Sequence, residues 1–193
     1  MRILLISGSP VAISRSQILV DTARQWLNLK GAETRLVKVS EINAQALIQA
    51  QFSHPEIRQV IEQVASADGI IVASPVYKAA CTGVLKTLLD LLPERALENK
   101  VVLPLMTAGS QAHLLALDYS LKPILGALKA EEIINGVYAC DNHIQYASSS
   151  HPTLIADEIL DRLEQNLGAF WQALQRRPAP GTGVLRALAG AEQ

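Results

Sequence analysis

Ile3-Leu4-Leu5-Ile6-Ser7-Gly8-Ser9-Pro10, running on to Ser14-Arg15-Ser16, sets four apolar strand formers directly against small, hydroxylated and cationic residues. Such a junction reads as a β-strand delivering the chain into an anion-binding loop. Gln17 to Leu29 continues with a helical pattern, so Ser14 to Ser16 fall at a helix N-terminus. Unpaired backbone N–H groups and the positive end of the dipole favour a phosphate there. Ser9, Ser14 and Ser16 offer hydroxyl donors, and Arg15 a charge-assisted pair. The same residues allow a plainer reading, with Ser14 only an N-cap and Gly8 only a turn. Neither a G-x-G-x-x-G fingerprint nor a G-x-x-x-x-G-K-[ST] loop is present, so the usual dinucleotide and ATP cradles are not indicated.

Outward from this stretch, short apolar runs alternate with helical patterns, the signature of βαβ units and a parallel sheet covered on both faces. The pattern predicts strands at 2–7, 33–39, 69–74, 100–106 and 133–140, and helices at 15–29, 55–66, 80–92, 112–129 and 152–176. Residues 39–55 are compatible with either a short helix or an irregular loop. The fold class expected is α/β: a flavodoxin-like three-layer sandwich on a five-stranded parallel sheet of order 2-1-3-4-5. In that topology ligands sit beyond the carboxyl ends of the strands, beside the first and third. One domain over residues 1–177 is expected, and the Pro/Gly-rich break from Arg176 to Gly183 points to a flexible tail over 178–193.

Composition narrows the function. Of 193 residues 49% are apolar and 18% charged with net charge −1, which speaks against a disordered chain and against an electrostatic nucleic-acid binder. No run approaches the ~18 apolar residues of a membrane span, so a cytoplasmic protein is expected. Cys81 and Cys140 lie far apart without C-x-x-C spacing, and free thiols in a reducing compartment are the expectation. His54, His113, His143 and His151 show no paired ligand spacing, and no metal is assigned.

Two further loops follow predicted strands. Ser74-Pro75-Val76-Tyr77-Lys78 places a proline and a lone aromatic where they would edge a planar ligand, although Tyr77 also suits ordinary loop packing. Thr107-Ala108-Gly109-Ser110 offers small residues that let a ligand approach the backbone, or a simple turn at Gly109. Three such loops at one end of one sheet favour a binding cleft.

These residues carry a resemblance. Gly8-Ser9-Pro10 with Ser14-Arg15-Ser16, Pro75-Val76-Tyr77-Lys78-Ala79-Ala80 with Gly83 and Leu85-Lys86-Thr87-Leu88-Leu89-Asp90-Leu91-Leu92-Pro93, and His113-Leu114-Leu115-Ala116 with Asp118-Tyr119 and Leu121-Lys122-Pro123 resemble the NADPH-dependent FMN reductases. Within that family the similarity is greatest to the branch serving two-component alkanesulfonate monooxygenases, and it extends over about residues 1–177. It implies an NAD(P)H:FMN oxidoreductase that takes FMN as a substrate, with NADPH as donor, and hands reduced flavin to a flavin-dependent monooxygenase. Ser9, Ser14, Arg15 and Ser16 would meet the FMN phosphate, and Pro75, Val76, Tyr77, Lys78, Thr107, Ala108, Gly109 and Ser110 the ribityl chain and ring. Many family members have arginine where this chain has Val11, so part of the cationic contact is missing here. No catalytic acid, base or nucleophile is implied, because the cofactors carry the hydride. The lone thiol of Cys81 reads as a core residue. A homodimer or homotetramer is implied, built mainly on the helices after strands three and four. Two other readings stay open: a quinone, azo-dye or chromate reductase holding FMN, and a flavodoxin-type electron carrier. Against the carrier stand the missing T-x-T-G-N-T-type loop and the net charge of −1.

Tyr119 needs separate treatment. Pro123 lacks the N–H that would reach the Tyr119 carbonyl, so a regular helix cannot pass undisturbed. Helix physics allows either a single π-type turn, closed by the N–H of Ile124, or a proline kink. The resemblance favours the π-turn, with Tyr119 directed toward a neighbouring subunit.

Overall fold

The computed structural model describes residues 1–147, 149 and 151–177; the tail expected over 178–193 lies outside the described residues. Strand β1 (Arg2–Ser7) passes through the serine loop into helix α1 (Arg15–Leu29). Ser14 caps that helix, its Oγ accepting from the Gln17 N–H at 3.1 Å. Gly31, at φ +79°, turns the chain out of it, its N–H donating to the Asn28 carbonyl at 2.9 Å. There follow β2 (Glu33–Lys38), α2 (Ala44–Ile48), α3 (Pro55–Ser66), β3 (Gly69–Tyr77), β4 (Ala80–Cys81), α4 (Gly83–Asp90) and β5 (Val101–Ala108). After these come α5 (Lys122–Ala127), β6 (Glu132–Ile133), β7 (Val137–Cys140), β8 (Ile144–Gln145), β9 (Leu154–Ile155) and α6 (Asp157–Arg176). Within the segment left open at 39–55, α2 forms because Asn43 caps it, accepting from the Ala46 N–H at 2.9 Å, while Ala46 and Leu47 are buried.

Strand alternation builds the three layers. Leu4 and Ile6 of β1 pack with α3 and α4 residues such as Ile57, Val60, Leu85 and Leu88. Ile3 and Leu5 face the other way, against Leu19 and Ala23 of α1 and Leu163 and Phe170 of α6. The sheet runs β2-β1-β3-β5 in parallel, and both β6 and β7 pair with β5. Among the described residues it has seven strands rather than five, because β4 adds itself to β3 and the expected fifth strand comes in two pieces. With β6 and β7 taken together, the order 2-1-3-4-5 is the one observed.

The break has a physical cause in Pro104. The Ile134 N–H donates to the Val102 carbonyl at 2.8 Å, so residue 102, and therefore residue 104 two positions on, faces the fifth strand. Proline has no N–H to give at that point, and the ladder is interrupted. Gly136 crosses the gap at φ +93°, where a Cβ would lie 2.6 Å from the Pro104 carbonyl oxygen.

Three predicted helices are shorter than expected. Residues 80 and 81 pair back on Tyr77 and Val76 as β4, so the helix predicted at 80–92 begins at Gly83. The helix predicted at 152–176 begins at Asp157, because Leu154 and Ile155 pair antiparallel with Gln145 and Ile144. The helix predicted at 112–129 is divided: a 3-10 turn at Gln111–His113, a π-helical turn at Leu117–Leu121 containing Tyr119, then α5. The N–H of Lys122 donates to the Leu117 carbonyl, five residues back, on the N-terminal side of Pro123. Widening the turn there moves the preceding carbonyls away from the proline ring. No helix among the described residues is long and apolar enough to cross a membrane.

Candidate functional site

The loops singled out in the sequence follow neighbouring strands at their carboxyl ends. Ser7 is aligned with Ala73, Pro75 with Thr107 and Ala108 with Cys140, so the chain leaves β1, β3, β5 and β7 at one edge of the sheet. Parallel pairing alone brings the serine loop, Pro75 to Lys78 and Thr107 to Ser110 to this edge.

In the first loop, Gly8 is held on both sides. Its N–H donates to the Ala73 carbonyl at 2.7 Å, and its carbonyl accepts from the Thr82 hydroxyl at 2.5 Å. Thr82 also caps α4, accepting from the Leu85 N–H at 3.2 Å, so the loops after β1 and β3 share one joint. The hydroxyls of Ser9, Ser14 and Ser16 are buried and locally engaged. Ser9 Oγ bonds both the carbonyl and the N–H of Val11, at 3.0 and 3.2 Å, and Ser14 Oγ lies 3.1 Å from Ser16 Oγ. Both readings of Ser14 therefore hold geometrically: it is an N-cap, and it stands in a cluster of hydroxyls at a helix N-terminus. The N–H groups of Arg15 and Ser16 have no partner among the described residues. With the α1 dipole behind them, these donors suit the doubly negative end of a phosphate ester.

Arg15 is not free, as the sequence alone would suggest. Its Nε donates to the Ile144 carbonyl at 2.9 Å, its Nη1 lies 3.2 Å from Asp141 Oδ2, and its guanidinium sits 4.7 Å from the centre of the Tyr146 ring. The only cation of the first loop is thus anchored to the segment after β7. The third guanidinium nitrogen, Nη2, has no partner among the described residues.

The second loop is a two-residue hairpin. Lys78 and Ala79 occupy its turn with φ of +50° and +65°, a conformation normally filled by Asn-Gly. Each residue with a Cβ held there costs about 1 kcal/mol or more. Ser74 and Ser120 secure the returning strand: Ser74 Oγ accepts from the Thr82 N–H at 3.0 Å, and Ser120 Oγ from the Cys81 N–H at 3.1 Å. Pro75 and Val76 are half-buried, while Tyr77 and Lys78 are exposed. In the third loop Thr107 and Ala108 are buried and Gly109 and Ser110 exposed. The Tyr138 hydroxyl donates to the Ser110 carbonyl at 2.5 Å and ties this loop to β7. Tyr119 stands 79% exposed on the π-turn, and Leu115, which precedes it by one turn, is 61% exposed.

Burial raises the thiol pKa values of Cys81 and Cys140 and the phenol of Tyr138. Among the described residues no three His, Cys, Asp or Glu side chains are placed to hold a metal ion. A cavity of about 320 Å³ lies at the opposite edge of the sheet between Ile61, Val64, Arg95 and Lys100. There Lys100 Nζ donates to the carbonyls of Ala65 and Ala67 at 3.2 and 2.8 Å and closes the end of α3. The arrangement at the loop edge supplies backbone and hydroxyl donors, a compensated guanidinium at Arg15, the exposed Lys78 and apolar edges, and so can bind and orient a phosphorylated planar molecule.

Asp141, Tyr146, Tyr138, Ser74 and Thr82 were not among the residues selected from the sequence. Thr82 carried a signal, a hydroxyl residue immediately before Gly83 and the apolar spacing of Leu85, Leu88 and Leu89. Asp141, Tyr146 and Tyr138 carried none, because they reach the site only through strand pairing, while Ser74 lay in the second loop with no separate role visible.

Known proteins share this architecture. The family model described as NADPH-dependent FMN reductase matches residues 1–145. A protein of Pseudomonas putida (strain KT2440) named FMN reductase (NADPH) is 47% identical over 186 residues, covering 96% of this chain and 94% of its own. Its namesake in Escherichia coli (strain K12) is 49% identical over 177 residues, covering 92% of each. The apo structure of the NADH:FMN oxidoreductase EMOB superposes with a TM-score of 0.82 at 32% identity, covering 92% of this chain and 91% of that one.

Proposed function

The chain belongs to the NADPH-dependent FMN reductase family and is an oxidoreductase working with NADPH and FMN, and from this premise we propose that FMN is its exchangeable substrate, released reduced to a flavin-dependent alkanesulfonate monooxygenase. The observation that carries the exchange is the state of the first loop. Its donors are neutral N–H and hydroxyl groups, and its single cation is already paired with Asp141. Such a loop recognises a phosphate without a strong ionic hold. The resemblance of the sequence blocks around Pro75 to Pro93 and His113 to Pro123 supports the monooxygenase as acceptor.

The residues present fit FMN: the unpaired N–H groups of Arg15 and Ser16, at the positive end of the α1 dipole, can donate to its phosphate oxygens. In this reading Ser9, Ser14, Arg15 and Ser16 hold the phosphate. Pro75, Val76, Tyr77 and Lys78, with Thr107, Ala108, Gly109 and Ser110, would meet the ribityl chain and ring. The bound pair supplies hydride transfer from nicotinamide C4 to flavin N5. The chain contributes orientation and exclusion of water, and no side chain acts as acid, base or nucleophile. The hairpin, with its two residues at positive φ, is held by Ser74 and Ser120 rather than by turn propensity.

The exposed Leu114, Leu115 and Tyr119, and Val84 on α4, support a homodimer or homotetramer formed through the helices after β3 and β5. Tyr119 would then project toward the neighbouring subunit and help keep FMN exchangeable. Residues 1–177 form the reductase domain in this reading, with 178–193 a flexible tail. Two unpaired, buried cysteines suit a reducing cytoplasm.

The test is steady-state NADPH oxidation with FMN, FAD and riboflavin varied in turn. Colourless protein active only with added FMN is expected. Protein purified with stoichiometric FMN and reducing quinones without added flavin would overturn substrate-type use. For the assembly, sedimentation showing only the 20.8 kDa chain at micromolar concentration would refute an oligomer.

A further inference from the structure

We propose that Asp141 sets the affinity for the flavin phosphate by competing with it for Arg15. The inference rests on the assignment of Arg15 to that phosphate. Asp141 Oδ2 lies 3.2 Å from Arg15 Nη1, and the two side chains are 47% and 26% exposed, so both are partly shielded from solvent screening. The carboxylate is not shared with His143, two residues on: His143 directs Nε2 to Glu158 Oε1 at 3.1 Å, and its Nδ1 accepts from the Cys140 N–H at 3.1 Å. Among the described residues Asp141 therefore pairs with one cation, and that cation is the one in the serine loop.

The geometry separates anchoring from charge. Arg15 is held in place by two contacts that do not involve Asp141, the Nε bond to the Ile144 carbonyl and the stacking on Tyr146. Removing the carboxylate leaves the guanidinium where it is and releases its charge. An arriving phosphate at present meets an ion pair of zero net charge, and the carboxylate repels it. With the charge of Asp141 removed it would meet a positioned cation. Riboflavin, which has no phosphate, provides the internal reference. Asp141 thus tunes how far FMN is preferred over phosphate-free flavin and how readily FMN leaves.

The experiment measures Kd for FMN and riboflavin by quenching of flavin fluorescence, for wild type, Asp141→Asn, Arg15→Met and the double variant, at low and high salt. Asp141→Ser serves as a second variant should the Asn chain fold poorly. Asp141→Asn is expected to tighten FMN binding about 3- to 10-fold with riboflavin unmoved, the gain shrinking with salt. In the Arg15→Met background the gain should fall below about 2-fold, since the competition needs the guanidinium. Wild type that discriminates FMN from riboflavin while Asp141→Asn leaves the ratio unchanged, or lowers it, overturns the role of Asp141 and leaves the phosphate assignment standing. An equal gain with and without Arg15 overturns competition in favour of plain repulsion. Equal wild-type affinities for the two flavins overturn the phosphate assignment itself, and the proposal with it.

Discussion

Adding a single methyl group at Gly8 should destabilise the fold and weaken flavin binding together. A Cβ built there lies 2.7 Å from Leu85 Cβ, 2.8 Å from Leu85 Cδ2 and 3.0 Å from the Ala73 carbonyl oxygen. Carbon atoms rest about 3.5–4.0 Å apart, so close to 1 Å must be found. Neither neighbour gives easily. Leu85 is fully buried, and its Cβ moves only with α4. Gly8 itself is fixed by its bonds to Ala73 and Thr82 at 2.7 and 2.5 Å. Overpacking of this kind costs about 1–3 kcal/mol, and at about 2–4 °C per kcal/mol for a chain of this length the melting temperature of Gly8→Ala should fall by about 2–12 °C. Flavin-free thermal and urea unfolding would measure it, with an unchanged urea slope expected. Shifting α4 also moves the Thr82 joint between two site loops, so the FMN Kd should rise in the same variant. Gly8→Ala/Leu85→Ala should be less destabilised than the sum of its parts, because the new methyl partly fills the space Leu85 leaves, yet the remaining Cβ contact prevents full recovery. A Gly8→Ala protein melting within about 1 °C of wild type would refute the reasoning.

Arg15→Ala should raise the FMN Kd about 10-fold, corresponding to about 1.5 kcal/mol, with little effect on riboflavin; an equal penalty for both flavins would contradict the assignment. The same change removes the anchor of Tyr146, so limited proteolysis near residues 141–147 should accelerate. Phe170→Ala, which empties a fully buried position between α6 and the sheet, should cost about 3–5 kcal/mol, readable as a lower urea midpoint. For Cys81 burial raises the thiol pKa, so the stability it contributes is complete below the unfolded value of about 8.5 and is lost as pH rises through the higher folded value. Melting temperature should accordingly decline above pH about 8.5. Cys81→Ala should flatten that decline, and an identical alkaline slope in both proteins would contradict the reading.

What the sequence determined is local. The apolar run before Gly8 and the cap at Ser14 predict where β1 stops and α1 starts, and Pro55 after His54 marks α3 in the same way. Alternation of strand and helix patterns was enough for a parallel sheet with both faces covered, and the order placed three small-residue loops at one edge. These features depend on residues within a few positions of one another, and side-chain size, hydroxyl caps and missing N–H groups act at that range. The hairpin at Lys78 and Ala79 was not legible, because its turn contains neither glycine nor asparagine and is held instead by Ser74 and Ser120. Pro104 was visible as a residue without a donor, but that its gap faces the fifth strand, and so splits it at Gly136, depends on which neighbour lies on that side. Arg15 was legible as a cation in the serine loop, and its pairing with Asp141 and Tyr146 was not. Only the folded sheet, by laying the end of β7 against the start of α1, brings a carboxylate from a distant part of the chain within 3.2 Å of that guanidinium, because such contacts follow from the path of the backbone and not from the residues beside them.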